Sequence, residues 1–90
     1  MSDFRADSLP IEIVEWVDSN FNGRWQSKQY YDEQSKLTMR CLSIGYVWYE
    51  AEDRVCLVQS ESHECAAEMI TIPKVAITKR TVLLPQVQAG

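Results

Sequence analysis

The stretch Ile70-Thr71-Ile72-Pro73-Lys74-Val75-Ala76-Ile77-Thr78 constrains the fold more than any other part of the chain. A short apolar strand runs into Pro73, and a new β-branched strand begins within two residues of it. Proline fixes φ and lacks the N–H that a continuing ladder requires. A single 3-10 turn can redirect a chain from one sheet edge to the next. The stretch therefore reads as the corner of a closed small β-barrel, where a fourth strand hands over to a fifth.

The rest of the chain supplies the other strands. Residues 11–18, Ile-Glu-Ile-Val-Glu-Trp-Val-Asp, carry apolar side chains on both parities, as a strand covered on both sides does. Residues 19–25 hold turn chemistry, with Asn20, Asn22 and Gly23. Residues 27–35 have helical propensity and a cap at Ser27, and are too short to be stable unless they rest on the barrel. Residues 36–51 form the longest strand, with Gly45 in its crowded middle. A glycine there marks a bulge, a bend or the close approach of another backbone; it would let one strand bend and serve two sheets. A hairpin at 50–54, a returning strand at 55–61, a loop at 62–68 and a short strand at 69–72 lead back to the corner. The expected fold is all-β, a five-stranded small barrel over residues 11–84 with one short helical insertion. Residues 1–10 are expected as a flexible arm with Phe4 and Leu9 tacked onto the body, and 85–90 as a frayed tail.

Ninety residues leave room for one core. Nine Lys and Arg stand against thirteen Asp and Glu, and the basic residues are scattered, which disfavours broad nucleic-acid binding. The three cysteines, Cys41, Cys56 and Cys65, are an odd count. With no charged n-region and apolar core near Met1, they imply reduced thiols and a cytoplasmic setting. No apolar run approaches membrane-spanning length.

Candidate chemistry is thin. His63, Cys65 and Cys56 lack any recurrent zinc spacing, so no metal is expected. Cys41 and Cys56 lie in strands and read as small hydrophobes rather than nucleophiles. No cofactor is implied. Glu50, Glu52 and Asp53 gather on one hairpin tip, and Lys74, Lys79 and Arg80 form a basic group near the corner. Phe21, Trp25, Tyr30 and Tyr31 cluster after the first strand, and Tyr46, Trp48 and Tyr49 line the long one. Such aromatics complete a core, anchor a protein interface or stack on a base.

The segments Ile44-Gly45-Tyr46-Val47 and Asp53-Arg54-Val55-Cys56-Leu57 are similar to the first Sm motif. Ile72-Pro73-Lys74-Val75-Ala76-Ile77-Thr78 resembles the second, in its bacterial host-factor form. The resemblance covers roughly residues 37–84 and implies an Sm/SH3-like barrel. Three departures bear on function. A strand precedes the helix, Arg54 and Val55 stand where the family has an asparagine, and Val75 replaces its histidine. The family's RNA-binding residues are thus mostly not carried over. The chain also resembles a class of small phage-encoded proteins of no uniform activity. The shared features are Val14, Trp16 and Asp18, the run Ser43 to Val47, and Ile-Pro-Lys-x-Ala-Ile at the corner.

The functional expectation is a non-enzymatic binding protein, a phage-encoded accessory or counter-defence protein that engages a host protein or sequesters a small nucleotide ligand. The alternative is an RNA-binding Sm-like ring. The Sm resemblance implies a homo-oligomer in which the fourth strand of one protomer pairs with the fifth of the next. A nucleotide needs a π-face for its base and a cation for its phosphate. The candidate site residues are accordingly Trp25, Tyr30 and Tyr31 with Lys74 and Arg80, meeting between neighbouring protomers.

Overall fold

The computed structural model describes residues 3–19, 21 and 23–84. Five strands form one antiparallel sheet: β1 (Ile11–Asp18), β2 (Met39–Glu50), β3 (Arg54–Glu61), β4 (Ala66–Pro73) and β5 (Ile77–Leu83). The single helix, α1 (Lys28–Gln34), lies between β1 and β2. The spatial order is β4-β3-β2-β1-β5. The first four strands run as a meander, and β5 returns to the open side of β1 with Ile11 opposite Leu83 and Glu15 opposite Lys79.

The corner is built as the sequence implies. Pro73 sits at φ −61, and Lys74–Ala76 form one 3-10 turn. The Lys74 amide donates to the Asp53 carbonyl at 2.9 Å, which ties the turn to the β2–β3 hairpin. β4 and β5 are the two outer strands, yet only this turn joins them. Across a flat sheet they would stand about 19 Å apart, four strand spacings. The four steps from Pro73 to Ile77 reach at most about 14 Å even when extended. The sheet must curl. It is not closed into the expected barrel, because no β4–β5 pairing links the edges among the described residues.

Partners across antiparallel strands share a face. The inner face carries the core: Val14, Val47, Val55, Leu57 and Ile72, with Trp16, Ile70 and Ile77 packed against it. The strand covered on both sides is β3, where Val55, Cys56, Leu57 and Val58 are all buried; β1 was the expected one, and its Ile11, Ile13 and Val17 are half-buried. β4 begins earlier than expected, taking Ala66–Glu68 from the predicted loop. The N-terminal segment is docked. It forms a 3-10 turn over Arg5–Ser8 and buries Ala6. The Glu61 carboxylate accepts from the Arg5 and Ala6 amides at 3.1 and 2.9 Å, and the Arg5 guanidinium lies 4.2 Å from the Trp48 ring centre. The expected tail, 85–90, lies outside the described residues.

Helix α1 does not rest on a barrel, for none of its residues is buried. The 19–38 excursion leaves the sheet where Asp18 pairs with Met39. The molecule measures 60 × 34 × 24 Å, with a radius of gyration of 17.8 Å. A compact chain of this length has a radius of about 12 Å. The longest strand, twelve residues, spans only about 40 Å of the long axis.

Gly45 is present for space rather than for bending. No glycine among the described residues has positive φ, and the irregular register of β2 lies between Val47 and Tyr49. A Cβ at Gly45 would stand 3.0 Å from the Val58 carbonyl oxygen and 3.2 Å from the Leu57 Cβ. Backbone of a buried strand cannot step aside cheaply. Gly45→Val should cost about 2 kcal/mol or more and lower Tm by roughly 10 °C. An unchanged melting curve would show that β3 does yield. Glu68 is the opposite case, since it holds φ 62 without being glycine. Glu68→Gly should stabilise the fold by on the order of 0.5–1 kcal/mol. A lower denaturation midpoint in that variant would mean the Glu68 side chain contributes more than its backbone strain costs.

Candidate functional site

Two clusters emerge from the residues singled out in the sequence. The first is on the excursion. The Ser27 hydroxyl accepts from the Tyr30 amide at 3.1 Å and caps α1, as its position before Lys28 suggested. The Tyr31 hydroxyl donates to the Arg24 carbonyl and folds the preceding loop back on the helix. Tyr30 and Tyr31 meet edge to face, with centroids 5.6 Å apart and planes at 76°. They line an open cleft of about 1040 Å³ with Phe21 and Arg24, and its base is formed by Val17 and Met39 where β1 and β2 part. Trp25 is outside this lining and is fully exposed. Phe21 and Leu37 are 90 and 66 % exposed.

The second cluster is a chain of charges on the inner face. Glu12 shares parity with Val14 and Trp16, so its carboxylate points into the curl and is buried. Arg80, opposite Val14 on β5, grips it with Nε at 2.6 Å and Nη2 at 2.9 Å. The other side of the same guanidinium binds the Glu50 carboxylate at 2.8 and 3.0 Å. Lys74 Nζ closes the chain at 2.7 Å from Glu50. One network thus ties β1, β5, the end of β2 and the corner turn. Bidentate guanidinium–carboxylate geometry makes these strong contacts. Hydrogen bonds from Arg80 and then Lys74 lower the Glu50 pKa from 4.5 to about 2. Glu50 and Glu12 in turn raise that of Arg80.

The predicted site is therefore split. Tyr30 and Tyr31 come together in the cleft, Lys74 and Arg80 come together in the network, and Trp25 stands apart from both. The cleft's own cation is Arg24. Lys74 and Arg80 already hold carboxylates, so a phosphate would have to displace them. Removing Arg80 would leave Glu12 buried without its partner, which makes Arg80 structural first. The acidic hairpin tip is dispersed as well: Glu50 joins the network, and Asp53 pairs with Arg54 at 2.7 Å. Cys56 is buried beside Thr71, and Cys65 is exposed. Among the described residues no three His, Cys, Asp or Glu side chains converge as a metal site would need, and no helix is long and apolar enough to cross a membrane.

Sequence reading missed the network. Both parities of β1 mix acids with apolar residues, so nothing in the sequence marked Glu12 as the one to be buried. Comparison with protein-family models, curated proteins and solved structures gives no match to the chain.

A lowered carboxylate pKa stabilises the folded state above the unfolded value. That contribution is lost as pH falls from about 4.5 through about 2. Glu50 is 37 % exposed, so solvent screens part of it. In denaturant titrations across this window the wild type should lose stability with acid, and Glu50→Gln should start lower and fall less steeply. Parallel acid limbs for the two proteins would remove Glu50 as a contributor.

Proposed function

We propose that this chain is a non-enzymatic binding protein, a phage-encoded accessory or counter-defence protein that engages a host protein through the 19–38 excursion. The curled sheet is its scaffold, of the Sm/SH3-like kind, and the protein works as a homo-oligomer. The carrying observation is Trp25, fully exposed on an excursion whose helix buries no residue, with Phe21 and Leu37 also in solvent. A seven-residue helix gains little stability by itself. Large apolar side chains held out on the excursion on either side of that helix cost solubility and give the core nothing. They suit a partner's pockets, because Trp and Tyr dominate the energetic centres of protein interfaces.

A second reading rests on the tyrosine cleft. Tyr30 and Tyr31 offer π-faces in that cleft for sequestering a small nucleotide. The RNA-binding ring draws less support, because Lys74 of the Sm-like corner is held by Glu50.

The readings separate experimentally. Tagged protein is incubated with bacterial lysate, and captured proteins are quantified by mass spectrometry for wild type and Trp25→Ala. A partner anchored on Trp25 should be depleted about thirtyfold, the equivalent of an energetic centre worth about 2 kcal/mol. Equal recovery by both proteins would sink the excursion as the binding element. A raised absorbance at 260 nm in the purified protein, abolished by Tyr30→Ala with Tyr31→Ala, would favour the nucleotide reading instead.

A further inference from the structure

The open sheet has two unpaired edges among the described residues, and they differ. The β4 edge is blunted. Glu68 takes a left-handed conformation inside the strand, and its pairing with β3 is missing between Ser60–Ala67 and Val58–Met69. Pro73 then ends the strand without a donor. The regular run between these interruptions is four residues, 69–72. A left-handed residue that interrupts the pairing and a terminal proline both make an edge harder to extend. β5 shifts register against β1 between Ile77 and Lys79, and beyond that shift it carries no proline and no left-handed residue. Residues 79–83 hold constant register against β1, from Lys79–Glu15 to Leu83–Ile11. Val82 and Leu83 are 50 and 42 % exposed there.

The charges favour β5 too. An acidic chain with formal charge −4 repels its own copies. The β5 segment contains only Lys79 and Arg80 as charged residues, and Arg80 is compensated by Glu12 and Glu50. An antiparallel pairing of β5 with itself, centred on Thr81, uses all five regular residues. It sets Thr81 opposite Thr81, Arg80 opposite Val82 and Lys79 opposite Leu83. No like charges face each other, and a Thr–Thr pair is a favourable cross-strand contact. A slip that centres on Arg80 sets two guanidinium groups opposite each other, which disfavours that register.

We propose that the partner on the β5 edge is a second copy of this chain, joined β5 to β5 about a twofold axis at Thr81. The two open sheets then become one continuous ten-stranded sheet. This rests on the oligomeric part of the function proposed above, and it replaces the fourth-to-fifth-strand ring with a closed dimer. A closed twofold pair leaves no β5 edge exposed.

The test places single thiols on the two edges in a Cys65→Ser background, which removes the exposed native thiol. Thr81→Cys and Ala67→Cys proteins are treated with a short bis-maleimide, alone and in an equimolar mixture, beside the background protein as control. Masses are measured by light scattering. The expected result is a parent mass about twice 10.4 kDa, with Thr81→Cys cross-linking to that mass and Ala67→Cys remaining uncross-linked. Thr81→Pro should halve the parent mass while circular dichroism stays unchanged; if it unfolds instead, the cross-links still decide. An oligomer that cross-links only between Thr81→Cys and Ala67→Cys chains overturns the β5 dimer and leaves the oligomer reading standing. A 10.4 kDa monomer across micromolar concentrations overturns both.

Discussion

The whole scaffold depends on one short connection. Because three residues join the outermost strands, β4 and β5 cannot lie apart, and the sheet has to curl. Curling gives the sheet an inside. Val14, Val47, Val55, Leu57 and Ile72 then bury against one another from four of the five strands, although among the described residues no helix or second sheet covers them. A flat sheet of these strands would expose that face, and a domain this small has little apolar area to lose. Proline at the corner serves this geometry in two ways: its fixed φ starts the 3-10 turn, and its missing donor ends the ladder.

A curled sheet also decides what its inner charges must do. Glu12 is on the concave side because strand periodicity leaves it no other, so its carboxylate is desolvated in proportion to the curl. Arg80 answers it from β5, on the far side of the corner. The same guanidinium reaches Glu50, which holds Lys74 in the turn itself. The network therefore fastens the strand after the corner to the strands before it, where no β4–β5 ladder does so. That position explains why two basic residues near the corner are poor candidates for binding phosphate: their charge is already engaged in keeping the corner in place.

Local chemistry was legible in the sequence, and long-range partnership was not. Pro73, the Ser27 cap and the alternation in residues 37–41 each act within a few residues, so the corner turn, α1 and the strands could be read directly. Whether the sheet edges meet is set by accumulated twist over five strands, and no motif encodes it. The role of Gly45 was readable only as a choice among three, because a missing side chain does not say which neighbour requires the space. Lys74 and Arg80 looked available for the same reason that Glu12 looked incidental. Their pairing spans 68 positions between Glu12 and Arg80, beyond any spacing rule. The separation of the tyrosines from the corner depends on how far the excursion stands from the sheet.

The scaffold and the excursion answer to different physical demands. Every strand contributes backbone pairing to the sheet, and the core is concentrated at the curl. The 19–38 segment contributes no buried side chain in its helix, yet it carries Phe21, Trp25, Tyr30 and Tyr31, four of the nine aromatic residues. If stability alone had shaped the chain, those rings would be of most use inside a core as small as this one. Their position outside it, on a segment braced by a side-chain cap at Ser27 and a tyrosine hydroxyl bound to the Arg24 carbonyl, means that they add little to that core. The division also locates tolerance to change. Substitutions in the excursion should leave the curl intact, whereas substitutions at Glu12, Gly45 or Arg80 act on the curl itself.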